Sequence, residues 1–184
     1  QAYYYRAESY ANPSIAKYNM ALKDYATVVA KGPGRFYPKS AEKAAQLSFS
    51  TEKNYAQSFE FARKWEESTG SDQGRLEAQG LALQSAYLTN NSVSVNEYAE
   101  KINRSGLASA EQKALANFYV GKMAYDKGDF ARAYPALQNV TANATSEILP
   151  EAYHLQAQIL YKQRKYDQAE DLISDANKAS AGYD

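Results

Sequence analysis

A small residue recurs at Ala21, Ser58, Val95, Ala133 and Ala169, at spacings of 37, 37, 38 and 36 residues. Sliding "YDKGDFARAYPALQNV" along the chain brings it onto "YKQRKYDQAEDLISDA". Tyr125 then falls on Tyr161, Phe130 on Tyr166, Ala133 on Ala169 and Leu137 on Ile173, and upstream Gly121 falls on Ala157. The stretch "FSTEKNYAQSFEFARKW" puts Phe49, Tyr55, Ser58, Ala62 and Trp65 in the same places. Leu83, Ala86, Val95, Ala99 and Ile102 follow the pattern more loosely. Near the start, Tyr10, Tyr18, Ala21, Tyr25 and Val28 fit with two extra residues in the turn. A period in this range is the mark of stacked supersecondary units, none of which can bury its apolar face alone.

Each unit reads as two helices. Ala, Leu, Glu, Lys and Gln are frequent, and the alternation of a β-strand is nearly absent. Breaks divide the chain into about ten helices of roughly 10–18 residues. Ser14 is placed to cap the helix after "YANPSIAK". Pro38 suits a first helical turn. Ser109 and Gln112 have the spacing of a capping box, and Gly106 precedes them as a stop. Pro135 lies beyond the first turn of its helix, where it deletes one backbone hydrogen bond and bends the chain.

Helices in a tight hairpin need a small residue where their axes cross. Gly121 with Ala133, and Ala157 with Ala169, fit that role. The aromatic after each turn (Tyr18, Tyr55, Phe130, Tyr166) is expected to pack under the loop. Val28, Trp65, Ile102, Val140 and Ala176 are expected to face the next hairpin. These units resemble the tetratricopeptide repeat (TPR), whose Gly/Ala, Tyr, turn-aromatic and Ala positions recur at about 34 residues. The period here is longer, the Trp of the family's first helix is missing, and its closing Pro is found only at Pro38 and Pro150. Such divergence is similar to that of long bacterial TPR proteins. The resemblance implies an all-α fold, an alpha-alpha superhelix of about five antiparallel helix hairpins. It implies one repeat domain over residues 1–184, with units near 1–34, 35–70, 71–106, 107–145 and 146–184.

By the same resemblance, the first helix of each hairpin lines a concave face. Three rows of residues fall there. Tyr4, Lys43, Gly80, Phe118 and His154 form one; Glu8, Leu47, Gln84, Lys122 and Gln158 form the second; Ala11, Ser50, Tyr87, Tyr125 and Tyr161 form the third. The expected binding residues are Gln84, Tyr87, Phe118, Lys122, Tyr125, His154, Gln158 and Tyr161. Aromatics in file beside amides and bases suit an extended peptide, whose backbone or carboxylate the polar groups would hold. A Tyr stripe at helical spacing is also what packing alone produces. The Lys, Arg and Asn set of a chaperone-tail clamp is not assembled, since Lys43 and Lys122 stand among unlike residues.

Other function classes find little support. Basic and acidic side chains number 21 each, so the excess charge that drives nucleic-acid binding is missing. The absence of Cys excludes disulfides, thiol catalysis and Cys-based zinc sites. No apolar run approaches the roughly 18 residues of a membrane span. His154, the only His, has no partner at metal-ligand spacing. Glu66–Glu67 and Glu170–Asp171 read as solvated helix charges. "KGPGR" lacks the spacing of a phosphate loop, "GRLEAQG" carries no dinucleotide fingerprint, and nothing assembles a nucleophile, base and oxyanion site.

The resemblance therefore implies, as an expectation, a non-catalytic scaffold without a cofactor, which takes a protein or an extended peptide. The alternative is a spacer or self-association module. Both ends read as cut, so a piece of a longer bacterial protein is expected, acting in the cell envelope or the cytoplasm.

Overall fold

The computed structural model describes residues 1–143 and 147–181. Among them are ten helices and no strand. The helices are α1 (Ala2–Ala11), α2 (Tyr18–Ala30), α3 (Tyr37–Ser50), α4 (Tyr55–Ser68), α5 (Asp72–Leu88), α6 (Ser92–Arg104), α7 (Ala110–Asp126), α8 (Phe130–Asn143), α9 (Ile148–Lys162) and α10 (Tyr166–Ser180). The chain forms two compact units, residues 1–94 and 95–184, and their boundary falls inside α6. In the first, α1 to α5 pack each on the next, and α3 also meets α5. In the second, α7 to α10 do the same, and α7 also meets α9. The fold is all-α, a TPR-like array of antiparallel helix hairpins.

Helix starts follow local chemistry. Asn54 accepts from the Gln57 amide, and Ser71 from that of Gly74. Ser109 and Gln112 complete the expected capping box. Pro38 lies in the first turn of α3. Ser14 does not cap. Its own amide donates to Asn12 Oδ1 at 2.9 Å in the loop, and α2 begins later, behind Lys17.

One turn geometry recurs. Ala16, Lys53, Asn90, Gly128 and Arg164 all have positive φ, between 49° and 75°. Each stands two residues before the next helix begins. The residue that follows bonds back across the end of the preceding helix: Asn91 N to Ala86 O at 2.9 Å, Asp129 N to Ala124 O at 2.9 Å, and Lys165 N to Leu160 O at 3.0 Å. This is a left-handed C-terminal stop that satisfies an orphan carbonyl. Only Gly128 of the five takes it without steric cost.

The recurrent small residues are where the hairpins close. Ala21, Ser58, Val95, Ala133 and Ala169 are 0, 0, 1, 0 and 2% exposed. Ser58 Oγ donates to the Ala45 carbonyl at 3.0 Å, so its hydroxyl is satisfied inside the first unit. The near neighbour of Gly121 is Leu137, not Ala133: a β-carbon on Gly121 would sit 2.8 Å from Leu137 Cγ. Trp65, Ile102, Val140 and Ala176 are buried. Val28 is only half-buried, and its neighbour Val29 takes the core position. Pro135 lies inside α8 on its exposed side, where water can serve the carbonyl it leaves without a partner.

Candidate functional site

In the second unit α7 and α9 lie side by side, and polar side chains join them. Lys122 Nζ donates to Glu151 Oε1. The same ammonium lies 5.8 Å from the centroid of the Phe118 ring. One turn along, the Tyr125 hydroxyl donates to Gln158 Oε1. The Gln158 amide nitrogen is 2.7 Å from His154 Nε2. The Gln158 carboxamide thus bridges Tyr125 of α7 and His154 of α9, and its bond to the imidazole depends on the tautomer.

Phe118, Lys122, Tyr125, His154, Gln158 and Tyr161 do not share one environment. Phe118 is 5% exposed and packs with Ala114, Leu137, Leu155 and Ile159. It is a core residue, and its expected place on an open face is corrected here: facing α8 as well as α9, its ring gains more from burial than from water. Lys122, Tyr125 and Gln158 are half-buried, and His154 is exposed. Tyr161 is 65% exposed. Its ring meets that of Tyr166 edge-on with centroids 5.2 Å apart, and Tyr125 meets Phe130 in a tilted pair at 5.6 Å. Both tyrosines thus brace the turn that follows them and also present ring surface.

Glu151 was not anticipated. It is one turn before His154 on α9, and the repeat alignment assigned its position to no row. It leaves Lys122 neutralised, so this face is polar without a net positive charge. As a partly exposed pair it contributes roughly 0.2–1 kcal/mol.

Gln84 and Tyr87 belong to α5 of the first unit, and both are half-buried. The Tyr87 carbonyl accepts from Asn90 N at 3.0 Å in the turn. Elsewhere in this unit the first-helix row residues are half-buried or, at Glu8 and Ser50, exposed. Tyr4 stacks on Phe36 with centroids 4.6 Å apart. Tyr25 is fully buried, and its hydroxyl donates to Glu8. Burial, with the bond to Glu8 and its charge behind it, pushes the Tyr25 phenol well above the usual tyrosine range. Burial first, then the charge of Glu8, raises Tyr4 as well. Arg6 grips the buried Asp24 with two bonds of 2.6 and 2.7 Å, and the bond and charge of Asp24 raise the guanidinium further. No sequence signal marks these pairs, which join residues 17 and 18 apart on different helices.

Among the described residues no three His, Asp or Glu side chains gather where they could hold a metal ion, and no helix is long and apolar enough to cross a membrane. No protein-family model and no curated protein matches the chain. The helical fold nevertheless has a solved counterpart. It is similar to the crystal structure of MamA, with a TM-score of 0.71, 12% identity, and 96% of this chain and 95% of that one covered. At that identity the likeness shows the fold alone.

Proposed function

We propose that the chain is a non-catalytic scaffold of a divergent bacterial TPR type, which binds a protein or extended peptide across the α7–α9 face. The observation that carries this reading is Tyr161. It is a large aromatic, 65% exposed, whose ring is already positioned by Tyr166. Such a ring offers apolar area to a partner at little entropic cost. His154 is exposed beside the Gln158 amide, which supplies polar groups for a main chain. With Lys122 held by Glu151, the face suits a segment without strong charge.

Chemical-shift mapping tests this. A peptide selected from a displayed random library against the whole chain is titrated into labelled protein. Shifts centred on His154, Gln158 and Tyr161 support the assignment. Shifts confined to other helices would remove it.

One observation favours a second reading, self-association. On α10, Tyr166 is 53% and Ile173 46% exposed, and both are apolar side chains on the last helix described. Light scattering across a concentration series separates the two. A dimer that Ile173→Asp abolishes supports self-association.

A further inference from the structure

The second unit carries a polar cleft that the α7–α9 face does not use. Its volume is about 590 Å3, and Asn103, Ala108, Ala110, Lys113, Asn117 and Asn139 line it. It is built on α6, α7, α8 and the loop between α6 and α7, with nothing from α9. Its size lies within the roughly 300–1,000 Å3 of ordinary ligand clefts.

Its walls are organised. Asn103 Nδ2 donates to Asn117 Oδ1 at 3.1 Å, and Asn117 Nδ2 returns a bond to Asn103 Oδ1 at 3.4 Å. Asn117 Nδ2 also donates to Asn139 Oδ1 at 3.3 Å. Both hydrogens of the Asn117 amide are thereby used. Asn103 spends one of its two, so one N–H of Asn103 is left over. Lys113 adds an ammonium with three donors and no acceptor. It is half-buried and pairs with no described acidic side chain, and no Asp or Glu is among the described residues that line the cleft. The amide ladder alone could be a tie between three helices. It gives no reason for an unneutralised, half-buried Lys on the same wall.

We propose that this cleft is a second ligand site, taking a carboxylate carried by a peptide. Lys113 supplies the charge, and the fixed Asn103 amide supplies a directed donor. A carboxylate can accept from both, and the bonds to it are charge-assisted. The site goes beyond the α7–α9 reading and stands or falls without it. The carboxylate comes either from an internal acidic residue or from a chain end.

The test uses the whole chain, labelled on nitrogen, and three probes. These are acetyl-Gly-Asp-Gly-amide, acetyl-Gly-Gly-Gly with a free C-terminus, and acetyl-Gly-Asn-Gly-amide. The side-chain amide signals of Asn103 and Asn117 are expected to move saturably with one or both acidic probes and not with the neutral one. The tighter acidic probe identifies the source. Lys113→Gln is expected to weaken that binding about tenfold or more. The proposal is overturned if neither acidic probe moves these signals, if the neutral probe moves them equally, or if folded Lys113→Gln binds as the wild type does. Should Lys113→Gln lose its helix signal, the wild-type titration decides.

Discussion

Gly121 of α7 lies against Leu137 of α8 so closely that a β-carbon there would be 2.8 Å from Leu137 Cγ and 3.3 Å from the Leu137 backbone nitrogen. Leu137 is fully buried and has nowhere to retreat. Gly121→Ala gains about 1 kcal/mol of helix propensity, but overpacking a filled core costs about 1–3 kcal/mol. A net loss of about 1 kcal/mol is expected, and a larger one for Gly121→Val. Gly80 is the control: it is inside α5, and a β-carbon on it would meet nothing within 4 Å. Gly80→Ala is expected to stabilise by about 0.5–1 kcal/mol. Urea denaturation of the two variants should give opposite signs. A stabilised Gly121→Ala would mean that α7 and α8 are not in close approach.

The five left-handed turn residues give a second pair of opposed outcomes. Lys53 and Arg164 hold positive φ with a β-carbon in place, at a cost of roughly 1–2 kcal/mol each. Replacement by Gly relieves this, less about 0.4–1 kcal/mol for the looser unfolded chain. Arg164→Gly is expected to raise the melting temperature slightly, and Gly128→Ala to lower it by more. Asn90→Gly should change little, because Asn tolerates this conformation. Parallel losses in Arg164→Gly and Gly128→Ala would show that the turns do not share one geometry.

The buried Tyr25 predicts an alkaline limit to stability. Its folded pKa is raised by burial and by Glu8, so the neutral phenol favours the native state. That contribution is complete below the ordinary tyrosine value near pH 10. Above it the unfolded chain ionises first, and stability falls as pH rises, by at most about 1.4 kcal/mol per pH unit for this residue. Tyr4 acts in the same direction. Urea midpoints measured from about pH 8 to about pH 11 should decline at the upper end. Tyr25→Phe should flatten the decline while costing stability near neutrality, where Glu8 loses its donor. An unchanged slope in Tyr25→Phe would point to other groups.

The fold was legible in the sequence where position depends on size alone. Ala21, Ser58, Val95, Ala133 and Ala169 could be located because a hairpin crossing excludes bulk, and all are buried. The register failed by one residue at Val28. The first turn has two extra residues, so an alignment through it constrains the far end of α2 weakly. Phe118 was misplaced because successive helical residues differ by about 100°, and one strip can border both a face and a core. The turn stops at Ala16, Lys53 and Arg164 were invisible, since nothing in those side chains announces positive φ. Glu151 and Asp24 were missed, and Glu8 was placed in a row without its Tyr25 partner, because these partners lie on other helices and helix periodicity says nothing about which groups meet there.

The central claim is that the α7–α9 face binds a partner through its tyrosines. The most direct measurement is the affinity of one selected peptide for the wild type and for Tyr125→Ala/Tyr161→Ala, with far-ultraviolet circular dichroism on both. The account predicts unchanged helix content and a dissociation constant raised about tenfold or more, as expected for loss of two aromatic anchors. Equal affinity in a folded double variant would contradict it.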